Sequence, residues 1–179
     1  MSGTALSFQF GLTPMRSDCA FHSGPRTFIV TTPSILEQFK GRGWPLQIAY
    51  WIWGAPGSVM GLTVGAMGLL TGGHVQRIGP TLEFWGGIVT VLLGSRWIRA
   101  RGMTLGHVVL GTSNSDLQLV RAHEWVHIRQ YERWGPLFIP VYLACSIGLY
   151  LRGRNGYLEN PFEIEAYEAD RQRSNDMDR

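Results

Sequence analysis

The sequence predicts an α+β protein with one or two membrane-embedded helices, a small antiparallel sheet, and two later helices that can share a metal ion. Three observations lead there. Residues Ile48 to Leu70 form a stretch of 23 positions without a charge. Residues 74–111 break into short β-branched and aromatic runs punctuated by glycine and proline. An HExxH, His123-Glu124-Trp125-Val126-His127, is followed by an apolar interval and then by a second, carboxylate-bearing helix start. At 179 residues the chain suits one domain with a core. It is 45% hydrophobic and only 16% charged, which is more apolar than an ordinary soluble domain.

The expected layout is an irregular leader at 1–45, a transmembrane helix at 46–71, a metal-binding domain at 72–170 that includes an apolar segment at 136–151, and a polar tail at 171–179. The leader is rich in Gly, Ser, Thr and Pro, with one short strand expected at Thr27–Thr32. His22 reads as a solvated loop residue. No basic segment followed by an apolar one marks a cleaved signal peptide.

As a helix, Ile48–Leu70 would measure about 34 Å, enough for a hydrocarbon core of about 30 Å. Trp44, Tyr50, Trp51 and Trp53 cluster at its start like an interfacial aromatic belt. Gly54, Gly57, Gly61, Gly65 and Gly68 are common currency in membrane helices, where small residues allow close approach. Pro56 should kink the first third. These features predict a membrane protein with lipid as a partner.

After it, His74–Ile78 and Thr81–Trp85 flank the turn signal Gly79-Pro80. Ile88–Leu93 and Thr104–Leu110 continue the series of expected strands. His107 falls in the last of these and reads as a strand-face histidine, or as the lining of a cleft.

The HExxH segment reads as a helix capped by Ser115 or Ser113 and ended by Gly135-Pro136. Histidines four apart project from one face and can hold one ion. Glu124, beside the first of them, can take a proton from a metal-bound water. The apolar run Leu137–Leu151 follows. Counted from Gly135 it would be about 25 Å long as a helix, short for a crossing. A single crossing there would also separate the two histidines from everything downstream, so a shared metal requires this run to be buried, re-entrant or interfacial. Asn160 as N-cap, Pro161 at N1 and Glu163 at N3 then start the last helix.

The basic side chains are fifteen arginines and one lysine, scattered and giving a net charge of only +3, so no nucleic-acid surface is expected. Of the two cysteines, Cys19 and Cys145, the second lies in an apolar run and reads as a small hydrophobe. The absence of any CxxC argues against a thiolate zinc site.

HExxH, an apolar interval and then Glu163-Ile-Glu-Ala166 resembles the membrane-bound gluzincin zinc peptidases, the group of the prenyl-protein protease and its bacterial heat-shock relatives. The resemblance covers the HExxH and about ten later residues. It implies a zincin-like domain in which His123, His127 and a carboxylate hold Zn²⁺ with one position open for water. It also implies Glu124 as the general base and a peptide or protein as substrate. In that group the ligand glutamate has alanine at +3 and aspartate at +4; here Glu163 has Ala166 at +3 and Tyr167 at +4. The carboxylate is Glu163 or Glu165, which point about 200° apart on a helix. The small Ala166 neighbour and the family phase favour Glu163, while its capping position gives it another occupation. Gln130 and Arg133 after the second histidine exclude a metzincin's third histidine. The alternative reading is a non-catalytic integral membrane protein with a structural or vestigial metal site.

Overall fold

The computed structural model of the chain describes residues 42–177. His22, Cys19, the strand expected at Thr27–Thr32 and nearly all of the leader lie outside the described residues. Two helices open the described chain, α1 (Trp44–Trp53) and α2 (Ala55–Leu70), and they meet at 86°. The expected single straight helix over 46–71 is therefore a bent pair. Pro56 has no N–H to give, and its ring crowds the carbonyl four residues earlier. Gly54, at the break, supplies the flexible joint.

The bend lays α2 along the sheet. Its buried face is Gly57, Ser58, Gly61, Gly65 and Gly68. A Cβ on Gly61 would lie 2.6 Å from Val108 Cβ, and one on Gly65 2.7 Å from the Phe84 ring. At Gly61 and Gly65 the missing side chains make room for the sheet.

The sheet has four strands in the order β1 (His74–Ile78), β2 (Thr81–Trp85), β4 (Val108–Gly111), β3 (Gly102–Leu105). Both hairpins are antiparallel, but β2 and β4 run parallel, so the sheet is mixed where an antiparallel one was expected. A parallel pair needs a crossover. That crossover holds α3 (Gly87–Leu93), the run read from sequence as a strand. Gly86 and Gly87, at φ 86° and 54°, stop β2 and turn the chain. Val89 and Leu93, one helical turn apart, bury one face in the core with Phe84, Val108 and Leu110. A short apolar run carries too little periodicity to separate the two readings.

The expected strand Thr104–Leu110 is split by a turn at Gly106-His107. Gly106 sits at φ 64°, and a Cβ there would fall 2.2 Å from Ser58 Oγ. Only glycine fits.

Helix α4 (Asn114–Trp134) carries the HExxH and crosses the sheet. Ser113 caps it, accepting a hydrogen bond from the Asp116 N–H at 3.1 Å. Arg121, an unusual charge at the flank of an HExxH, donates two hydrogen bonds of 2.9 Å to the buried Glu83 of β2. It fixes the helix to the sheet. Gly135 ends α4 at φ 54°, with the Trp53 indole packed where a Cβ would project. The chain does not stop there. A 3₁₀ turn (Gly135–Leu137) leads into α5 (Phe138–Leu151). Asn114–Leu151 is the one helix among the described residues long and apolar enough to cross a membrane by length and composition; α1 and α2 qualify only if the bent pair counts as one span.

A loop then turns back, and Asn160 secures the return. Its amide donates to Tyr142 O and to Ser146 Oγ at 3.1 and 2.8 Å, while its Oδ1 accepts from the Phe162 N–H. Helix α6 (Pro161–Met177) follows, so the segment expected as a tail from 171 is largely helical. Ala166 and Ala169 of α6 join Trp125, Val126 and Ile128 of α4 in one core cluster. Small side chains at that contact let the two helices come close.

Candidate metal centre

Three of the residues singled out in the sequence converge. His123, His127 and Glu163 are all buried and offer ligand atoms that lie within 4.8 Å of one another. The group could hold a metal ion. His123 Nε2 stands 3.2 Å from His127 Nε2 and 3.3 Å from Glu163 Oε2. His127 Nε2 stands 3.5 Å from Glu163 Oε1. Ligand atoms at about 2.0–2.1 Å from a tetrahedral zinc are separated by about 3.3–3.4 Å. The spacings here, the last two to different oxygens of the Glu163 carboxylate, are close to that separation.

The outer nitrogens explain the orientation of the rings. His123 Nδ1 lies 3.1 Å from Asp170 Oδ2, an acceptor when ionised, so this nitrogen carries the proton. His127 Nδ1 lies 2.8 Å from Gln130 Oε1. The Gln130 amide nitrogen donates to Phe162 O and to Glu165 Oε2, at 3.0 and 2.9 Å, which fixes its oxygen toward the histidine. A metal ion needs neutral imidazoles, and rings held this way then turn two bare Nε2 lone pairs toward it. Without a metal, a proton on one Nε2 can bridge the 3.2 Å between them.

Glu163 is positioned by its helix start and by Tyr142, whose hydroxyl donates to Oε1 at 2.8 Å. Burial raises its pKa, but without a metal, when the imidazoles are protonated, the hydrogen bond from His123, the charge of His127 and the Tyr142 hydroxyl outweigh it and hold the carboxyl below its usual range. Glu165 stands elsewhere: its side chain is 41% exposed, and it partners Gln130 and Arg133. The capping duty expected of Glu163 falls to Asn160 alone.

Glu124 is buried on the same helix face, and the Thr104 hydroxyl of β3 donates to its Oε2 at 2.7 Å. A Cβ on Gly102 would come within 2.9 Å of Glu124 Oε1, so the absent side chain makes room for this carboxylate. Glu124, His123, His127 and Glu163 all line one cleft of about 790 Å³, whose wall includes strand β3. β3 is an edge of the sheet, and Gly102–Leu105 all border the cleft.

His107 does not join them. It sits in the β3–β4 turn, stacked on Trp51 at 5.2 Å with Nε2 3.6 Å from Glu132. It is absent from the cleft lining, and its role is to tie the α1–α2 bend to α4. Asp170, Thr104 and Tyr142 were not picked out as site residues in the sequence. Asp170 had a signal: it lies seven residues after Glu163, two helical turns along the same face.

No protein-family model, curated protein or solved structure matches the chain.

Proposed function

We propose that this chain is a membrane-bound zinc-dependent peptidase that hydrolyses peptide bonds, with His123, His127 and Glu163 as metal ligands and Glu124 as general base. The observation that carries the reading is the convergence of two histidine Nε2 atoms and the Glu163 carboxylate, with the outer nitrogens of both histidines occupied. Two imidazoles and one carboxylate form the donor set of catalytic zinc sites, which leave a fourth position open. When bound, the ion supplies Lewis acidity that polarises a carbonyl and lowers the pKa of a water. The chain's own contributions are separate from it. Thr104 holds Glu124 at the cleft wall as a proton acceptor, and Tyr142 orients Glu163. The edge strand β3 offers backbone groups for an extended substrate.

A structural metal site needs neither a cleft nor Glu124, which favours a catalytic role over a storage or vestigial one. Membrane attachment is supported by the apolar helix Asn114–Leu151 and by the exposed apolar faces of α1, α2 and α5. In this reading α5 enters the bilayer without separating Glu163 from the histidines, because Asn160 returns the chain to the same side.

Elemental analysis of detergent-purified protein tests the site, with one zinc per chain expected and none in His127→Ala. Glu124→Gln should keep the zinc and lose hydrolysis of a fluorogenic peptide library. Protein that binds no metal sinks the reading. Zinc-loaded protein that cleaves nothing leaves the structural site as the surviving alternative.

A further inference from the structure

The mouth of the cleft is unusual for an enzyme acting in water. Its outer wall is the loop from Gly94 to Arg101, where Trp97 is 83% exposed and also borders the cleft. Beside the loop, α3 turns Val91 and Leu92 outward, at 72% and 39% exposure. Across the opening, Met60 of α2 and Leu143 of α5, 53% and 50% exposed, complete an apolar rim.

The loop itself carries charge of one sign. Between Glu83 and Asp116 the chain contains Arg96, Arg99 and Arg101 and no acidic residue. All three arginines are exposed; Arg101 lies 4.0 Å from Asp116, and the Arg96 guanidinium lies over the Trp97 ring at 4.9 Å. The loop is built as well as exposed. Arg99 is the only non-glycine with positive φ among the described residues, at 48°. It is held there by its own N–H bonding to Ser95 O and by the Ala100 N–H bonding to Leu93 O, at 3.0 and 3.1 Å. Exposed tryptophan flanked by arginines, next to a strip of aliphatic side chains, matches the boundary between acyl chains and anionic headgroups.

We propose that the α3–Trp97 loop seats on anionic phospholipid, so that the cleft opens at the headgroup layer and takes polypeptide segments lying at the membrane surface. The lipid contact rests on the membrane attachment proposed above and not on the peptidase chemistry. The substrate class rests on both. Charge complementarity commits the surface to lipid over a second copy of the chain, since like arginine loops would repel.

The test uses full-length protein reconstituted in vesicles of phosphatidylcholine with about one-third phosphatidylglycerol. Cys19 and Cys145 are replaced by serine and alanine, and an environment-sensitive fluorophore is placed at Trp97→Cys. The same label at the exposed Glu168→Cys of α6 serves as the water-side reference. Spin-labelled phosphatidylglycerol should quench the position-97 probe more than spin-labelled phosphatidylcholine. The relative association should fall by about fivefold for each of Arg96→Gln and Arg99→Gln. The reference position should show neither effect. An unchanged elution profile and thermal transition show that the arginine variants remain folded, and Arg99→Gly gives a second variant free of the positive-φ strain. If the protein floats with vesicles but the probe at 97 stays in water, or prefers neither lipid, the loop proposal is overturned and membrane attachment stands. Protein that does not float overturns both.

Discussion

Replacing Glu163 by glutamine, beside the same change at Glu165, separates the two carboxylates by a measurable margin. Glu163 contributes oxygens 3.3 and 3.5 Å from the two histidine Nε2 atoms, while Glu165 is directed to Gln130 and Arg133. Glutamine retains the volume and one oxygen that can still accept from Tyr142, so the fold should survive. What is lost is the negative charge among two imidazoles and a divalent ion. Disturbance of groups that merely orient ligands weakens metal binding by about 10–100-fold, and loss of a ligating charge should be no smaller. The expected result is therefore a zinc affinity lower by at least about tenfold for Glu163→Gln. Glu165→Gln should change it by less than about threefold, because Gln130 keeps its second anchor on Phe162 O. Competition with a chromophoric chelator at neutral pH reads both values. The reverse order, with Glu165→Gln the damaging change, would refute the ligand assignment.

Asp170→Asn should lower zinc affinity by about 10–100-fold while leaving stoichiometry at saturating metal intact, since it orients His123 and does not ligate; an unchanged affinity would mean the contact is incidental. Gly102→Ala should keep zinc yet reduce hydrolysis by about an order of magnitude or more, because the new methyl presses on Glu124 Oε1 from 2.9 Å and displaces the proton acceptor; activity equal to wild type would remove Glu124 from that position.

How much of this was legible follows from the range of each signal. The HExxH helix and its glycine stop depend on neighbours a few residues away, so the sequence carries them plainly, while the cap, open between Ser115 and Ser113, falls to Ser113. The choice of Glu163 came from phase and from one small neighbour, Ala166, which is buried at the contact between α4 and α6. Harder features depend on what the chain meets after it folds. Ile88–Leu93 has no local preference strong enough to choose helix over strand; the two glycines before it and the core around Phe84 decide. The parallel pairing of β2 and β4 follows from that choice. Arg121, a charge beside the metal centre, is explained only by its partner Glu83, 38 residues earlier in the chain.

The glycines of α2 show the same limit and give it a test. Their spacing suits a membrane helix packing on another, and it equally suits a helix laid on a sheet; the two readings differ in what a methyl would meet. At Gly61 it would meet Val108 Cβ at 2.6 Å and the Leu105 carbonyl at 3.0 Å, both in the hairpin that borders the cleft. Neither partner is the flexible end of a long side chain, so α2 would have to lift off the sheet. Overpacking of this kind costs about 1–3 kcal/mol. For a chain of this size that is a fall in Tm of roughly 2–12 °C. Gly148 in α5 is the control, since a Cβ there meets nothing within 4 Å. Gly148→Ala should instead gain up to about 1 kcal/mol from restricting the unfolded chain and from better helix propensity. Thermal unfolding of the two variants in one detergent makes the comparison. Equal Tm values would mean that α2 does not lie against β4, and the strand that supports the cleft would have to be placed anew.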